Sequence, residues 1–361
     1  MGFSLFELSR VLGRKAALYT FQHGPLVERF NSTDRDLTIG GDLYKAARGI
    51  SHSPIRDTAS SGKAQVTITM PALLDPAATD TPPTQVLLGW WRPYPPSTRV
   101  YVTIATTHLG DPDEEIHEEW SGRVLAPSFK DVEMTLTCDP SRSNSRTAGR
   151  AKRISRNCGV ALYSQGYMQC NLDPEPIAVA ATVVAIDGDD VTIALAGHPP
   201  RPLAPGPIEW VDGMEQPHTA EVLSIAGDVL TLDDSSGMAV DDAVTVYTEP
   251  LWFLATLGVD AVGLTLTAPE FATAPFGLEG GLIRWTRDNG LVESRNILAH
   301  LGTSITIDYG APDLLAGLVL RAYWGCPHNL DACTARGNEI HYPGFKYLPV
   351  ASPMGRSQAW G

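Results

Sequence analysis

With 361 residues, 43% of them apolar and 19% charged, the chain can build two or three cored domains and is not a disordered polymer. A net charge of −14 argues against binding duplex nucleic acid, and no apolar run nears the roughly 20 residues that span a bilayer. Frequent Gly (33) and Pro (28), with recurrent short Val/Thr runs, favour turns and strands over long helices.

The opening stretch, MGFSLFELSRVLGRK, lacks a signal peptide's long apolar region and small-residue cleavage site. Phe6 stands where a myristoylation signal has Ser or Thr. A reducing cytosol is the expected place of synthesis, and five cysteines, an odd number, then argue against a disulfide framework. Leu5, Leu8, Val11 and Leu12 recur at helical spacing, so a short amphipathic helix is expected over residues 1–22, ending before Gly24-Pro25.

Period-2 alternation follows in three runs: Val66, Ile68, Met70; Val100, Val102, Ile104; and Val132, Met134, Leu136, Cys138. Residues 23–140 are therefore expected to form an antiparallel barrel or sandwich. Cys138, at the end of the third run, reads as a small buried hydrophobe. DPDEEIHEEW gathers six carboxylates around His117. That charge density beside a Gly-Asp-Pro turn reads as a solvated loop rather than acid–base machinery. SSGK at 60–63 lacks the glycine spacing of a phosphate loop, and no nucleophile, HExxH or dinucleotide motif is present, so no enzymatic activity is expected. Residues 142–156, RSNSRTAGRAKRISR, hold six basic residues and no acidic one; they open a linker, 141–175, that also carries the first cysteine pair.

An internal duplication comes next. At an offset of 75, Gly206, Ile208 and Trp210 fall on Gly281, Ile283 and Trp285; Leu223, Gly227, Thr231 and Asp233 fall on Leu298, Gly302, Thr306 and Asp308. Two tandem small β modules, 176–250 and 251–325, are expected, with hairpins turning at Gly188 and Gly227. GHPPRPLAPGP reads as a rigid Pro-rich connector. The aromatic residues Trp90, Trp91, Trp210 and Trp285 suit a glycan platform but more simply a core.

Four cysteines remain: Cys158 and Cys170, then, after 155 intervening residues, Cys326 and Cys333 in the last segment, 326–361. The spacings of eleven and six residues exceed the two to four of a zinc knuckle, whereas an iron–sulfur cluster tolerates longer spacing. Spacing alone leaves iron–sulfur, zinc and unliganded core cysteines all open. His328 and His341 lie close by and read as polar neighbours.

RISRNCGVALYSQGYMQCNLD resembles the cysteine motif of the phage minor tail protein L family, in which a Cys is followed after two residues by Ala-Leu-Tyr, then by a glycine and a second Cys. GCPHNLDACTARGNEIHYPGFKYLP is similar to that family's C-terminal signature. It departs from it at Ile340-His341-Tyr342, where an Asn-Phe is usual. FNSTDRDLTIGGDLYKAARGISHSPI and the Trp-x-Gly-Arg-Val strand in EEWSGRVLAP resemble the family's N-terminal half, so the likeness runs through most of the chain in order.

The resemblance implies a mainly β protein with a hub-type N-terminal barrel, like the hub of gene transfer agents. It places a [4Fe–4S] cluster on Cys158, Cys170, Cys326 and Cys333, with zinc the lesser expectation and no role for Cys138. It also implies a structural protein of a siphophage tail tip, assembled in the host cytoplasm. The expected partners are two further copies in a homotrimer, the distal tail protein, the tape-measure protein and a central fibre or tip protein, with DNA passing unbound. The alternatives are a glycan- or receptor-binding tail module with structural zinc and an iron–sulfur redox protein. Arg153 and Arg156 are expected to offset an anionic cluster.

Overall fold

The computed structural model describes residues 7–8, 13–55, 65–75, 77–141, 157–197, 199, 201–274 and 277–345. The chain divides into two compact units: one of residues 1–151, 284–295 and 309–315, the other of 152–283, 296–308 and 316–361.

In the first unit nine strands form one sheet: β1 (Lys15–His23), β2 (Leu26–Asn31), β3 (Leu37–Ile39), β4 (Asp42–Ala46), β5 (Ser51–His52), β6 (Val66–Pro71), β7 (Val100–His108), β8 (His117–Lys130) and β9 (Glu133–Pro140). Their order is β3-β4-β2-β1-β7-β8-β9-β6-β5. Among the described residues the end strands β3 and β5 do not pair, so the sheet is not a closed barrel as expected for 23–140. The N-terminal expectation also changes. Glu7 and Leu8 are helical, but Lys15–His23 is a strand, so the helix does not extend over 1–22.

The alternating runs do form one buried face. Val66, Ile68, Met70, Val100, Val102, Ile104, Met134, Leu136 and Cys138 join Tyr19, Phe21 and Phe30 in a single core, covered in part by Leu87 and Leu88 of a helix at Gln85–Trp91. Each such buried aliphatic side chain stabilises the fold by about 1.5–3 kcal/mol. Val132 is the exception: it lies in the β8–β9 turn and is 64% exposed. Cys138 is fully buried, its thiol pushed up to about 12 by desolvation, as befits a core hydrophobe.

The Trp-x-Gly pair of β8 has a steric cause. Residues two apart share a face, and the Trp120 indole folds over Gly122. A Cβ at 122 would overlap both that ring and the Asp139 carbonyl. Gly122→Ala is therefore expected to destabilise the protein by about 2 kcal/mol, read as a lowered urea midpoint; an unshifted midpoint contradicts this packing.

Two imidazoles, buried His23 and half-buried His52, give the first unit an acid sensitivity. His23 Nε2 lies 2.9 Å from Thr98 Oγ1, and His52 Nδ1 lies 2.8 Å from the Tyr19 hydroxyl. Desolvation lowers both pKa values below the usual histidine value. The unfolded chain then takes up protons that the folded chain refuses. Stability is complete above the unfolded pKa, about 6.5, and falls as pH drops below it. The thermal midpoint is expected to decline between pH 7.5 and 5, with a shallower slope in His23→Asn; equal slopes contradict the assignment.

A charged cluster is also buried in this unit. Arg295 and Glu293 are 3% exposed each and pair at 2.8 Å. Ser97 Oγ donates to Glu293 at 2.9 Å, and Arg295 stacks 4.0 Å from the Tyr309 ring and donates to the Gly310 carbonyl.

Six strands of the second unit, β10 (Ala178–Asp187), β11 (Asp190–Leu195), β12 (Gly206–Val211), β13 (Pro217–Ala226), β14 (Val229–Leu232) and β15 (Ala243–Tyr247), close into a barrel of order β10-β11-β14-β13-β12-β15. A second set, β16 (Trp252–Thr256), β17 (Thr265–Thr267), β18 (Leu282–Thr286), β19 (Val292–Leu301), β20 (Ser304–Ile307) and β21 (Val319–Tyr323), forms an open sheet of order β16-β21-β18-β19-β20-β17. That is the barrel's circular order, but β16 and β17 do not pair as strands: backbone bonds between Val262 and Thr265 and from Gly258 N to the Thr267 carbonyl close only the turn end, and the rest of the seam is open among the described residues.

Strand positions repeat at the 75-residue offset, β13 on β19 and β14 on β20 without a shift. So do finer features. Gly188 and Gly263 turn at φ +64°, Gly227 and Gly302 at +66° and +56°, and the bulges at Leu223 and Leu298 coincide. The amides of Glu221 and Asn296 bond Asp233 and Asp308 alike. The seam opens because β17 stops at Thr267. Its counterpart β11 runs six residues, but here Ala268-Pro269 starts a 3-10 turn, and proline has no N–H for a ladder.

Candidate metal centre

Cys158, Cys170, Cys326 and Cys333 all line one pocket of the second unit, with Val160, Leu162 and Leu172 as apolar wall. Cys138 is not among its lining residues.

The second cysteine segment is placed by glycines. Gly325 precedes Cys326 where a Cβ would overlap the Glu279 carbonyl, and Gly280 and Gly281 pass against the backbone of residues 323–326. Gly325 N donates to the Gly277 carbonyl at 3.1 Å. The chain then enters a short helix, Leu330–Ala335, capped by Asn329, whose side chain accepts from the Ala332 amide at 2.8 Å. Helical spacing sets Cys333 and Arg336 one turn apart. Gly337, at φ +65°, ends the turn.

The first segment docks onto the second through directional bonds. Cys158 N donates to the His328 carbonyl at 2.8 Å, and the Tyr163 hydroxyl donates to the Trp324 carbonyl at 2.8 Å. Asn338 Nδ2 donates to the Cys170 carbonyl at 2.8 Å. Asn171 and His341 side chains meet at 3.4 Å. Tyr163, Met168, Asn171 and His328 adopt positive φ, so four strained non-glycine residues concentrate in these two segments.

The sulfurs of Cys326 and Cys333 make polar contacts. His328 N donates to Cys326 Sγ at 3.4 Å, and the Cys333 thiol donates to the Asn338 carbonyl at 3.2 Å. Burial, then repulsion from Cys170, Cys326 and Cys158, pushes the Cys333 thiol up to about 11, against an opposing pull from Arg336. Arg336 is 5% exposed and is anchored by the Gly325 and Ala332 carbonyls.

Four thiols, a buried cation, amide donors and an apolar wall suit an anionic, thiolate-bound group. Among the described residues, no three His, Cys, Asp or Glu side chains converge tightly enough to hold a single ion. His328 bonds Cys158 and Cys326 through its backbone, and the His341 side chain meets Asn171. Arg153 and Arg156 lie outside the described residues, as does SSGK at 60–63. Arg336 and Asn338 were not anticipated from sequence. The Asn329 cap, the short apolar turn and Gly337 were the available signal.

The other chemical-looking features resolve as structure. In the acidic stretch Asp111 accepts from Asp113 N, and Glu114 accepts from Gly40 N; strand β8 begins at His117. Trp91, Trp210 and Trp285 are 8%, 4% and 3% exposed, which makes them core.

Residues 277–351, a span that includes Cys326 and Cys333, match the family described as "Phage conserved hypothetical protein BR0599". A chain from a solved structure titled "Virion of native gene transfer agent (GTA) particle" is similar at TM-score 0.44 and 13% identity, covering 96% of this chain and 93% of that one. An uncharacterized protein of Xylella fastidiosa (strain 9a5c) is 30% identical over an aligned length of 484, with all of both chains covered. The chain belongs to the same family as that Xylella fastidiosa protein, and its own residues 277–351 match the phage-conserved family.

Proposed function

We propose that this chain is the hub, or minor tail protein, of a siphophage-type tail tip. It joins the end of the tail tube to a central fibre or receptor-binding assembly, and Cys158, Cys170, Cys326 and Cys333 hold a structural [4Fe–4S] cluster. The supporting observation is that four cysteines from segments 155 residues apart line one pocket beside a buried arginine. The phage-conserved segment containing Cys326 and Cys333, and the in-order motif resemblance, support a virion role.

When bound, the cluster supplies an inorganic cross-link between the two segments. The chain's own residues prepare for it. Arg336 offsets negative charge, the His328 amide points at Cys326 Sγ, and Val160, Leu162 and Leu172 limit water. Four thiolates would leave no open iron for a substrate, which weighs against catalysis at the cluster. The burial of Trp210 and Trp285 weighs against the glycan platform. The role is assembly rather than turnover, as a homotrimer that meets the distal tail, tape-measure and tip proteins.

Electron cryomicroscopy of assembled particles tests this reading. Three copies of the chain at the distal end of the tail tube are expected; a position in the capsid or neck, or absence from particles, contradicts it.

A further inference from the structure

A second cavity of the second unit, about 810 Å³, lies where the closed barrel faces strand β16, and its size falls in the range of ligand sites. Its wall carries four carboxylates, Glu221, Asp233, Glu249 and Glu270, and no Lys, Arg or His. Asp233 is spent on the Glu221 amide, but Glu270 Oε2 is shielded from solvent and has no hydrogen-bond partner among the described residues. Burial raises the pKa of Glu249, with Arg201 only partly opposing it.

Half-buried Trp252 and Phe253 form the apolar side. The Trp252 ring already takes a guanidinium at 4.1 Å, that of Arg321, so a cation on this aromatic wall has a precedent within the chain. Both aromatics belong to β16, which ends its sheet and, among the described residues, pairs as a strand with β21 alone, with the 3-10 turn Pro269–Thr273 packed nearby. Its counterpart β10 in the barrel is paired on both sides.

We infer that this cleft binds an extended, Lys/Arg-bearing segment of a partner protein, laid along the open edge of β16 with its basic side chains on Glu249 and Glu270. An edge strand supplies main-chain pairing, aromatics take the aliphatic stems, and carboxylates take the charged tips. A glycan fits less well, because the wall offers acceptors and almost no donors.

The test uses the full chain and a labelled synthetic peptide, RSNSRTAGRAKRISR, whose sequence is that of residues 142–156. Saturable binding in fluorescence anisotropy is expected. It should weaken about tenfold or more in the Glu249→Gln, Glu270→Gln double variant and with rising salt. A double variant of equal charge change on exposed barrel turns, Asp187→Asn with Asp228→Asn, should bind as the parent does. Where the first pair fails to fold, exposed Glu221→Gln is expected to weaken binding in the same direction. No binding, equal losses in cleft and control variants, unaltered binding in Glu221→Gln, or displacement of the peptide by neutral chitotetraose would each overturn the assignment.

Discussion

Cys333→Ser is expected to abolish the visible absorbance of anaerobically purified protein and to release the C-terminal segment. Cys170 and Cys326 bracket 155 residues, and closing so long a loop by a covalent link stabilises the native state by about 5 kcal/mol. The hydrogen bonds from Cys158 N, Tyr163 and Asn338 remain in the variant, so the segment should loosen rather than the whole unit unfold. Limited proteolysis should then cut between residues 326 and 345 in the variant and spare the parent. Cys138→Ser serves as the control. It removes a thiol from the core of the first unit and should keep the absorbance. Equal protection of both forms contradicts the cross-link.

Glu293→Ala is expected to cost about 3–5 kcal/mol, because it strands Arg295 in a site where both partners are shielded. The Tyr309 ring and the Gly310 carbonyl hold the guanidinium in place, so it cannot swing to water. Replacing both residues, Glu293→Leu with Arg295→Met, should cost less than the single change, since no charge is then left alone. Urea denaturation of the three proteins checks the order. A double variant less stable than Glu293→Ala would mean that the pair contributes through attraction rather than through avoidance of an orphaned charge.

Much of the strand architecture was legible because period 2 is local. Val66, Ile68, Met70 and their partners face one core, as their alternation requires. The same alternation misled at Val132, where it runs one residue into a turn. The helix expected over 1–22 rested on Leu5, Leu8, Val11 and Leu12, while Ala16, Leu18, Tyr19, Phe21 and His23 are the buried positions of β1. Closure was not legible at all. Whether a sheet closes depends on pairing between distant strands, and it differs even between the two repeats. The barrel closes, and its copy stays open beyond the Val262–Thr265 turn because of one Ala-Pro step after Thr267.

At the candidate centre the four cysteines were visible as two spaced pairs, but their shared pocket was not, since nothing local reports a meeting across 155 residues. Arg336 was readable in principle. A capping Asn, a six-residue helix and a closing Gly put it one turn from Cys333. The basic run at 142–156 is the conspicuous positive charge of the sequence, whereas the burial of Arg336 depends on contacts with distant residues.

Iron and acid-labile sulfide determined on anaerobically isolated full-length protein, with electron paramagnetic resonance after reduction, address the shared inorganic centre most directly. Iron and sulfide in equal amounts, with a cluster signal that disappears in Cys158→Ser as well as in Cys333→Ser, is the expected result. Zinc in place of iron, or a signal that survives loss of either distant cysteine, contradicts it.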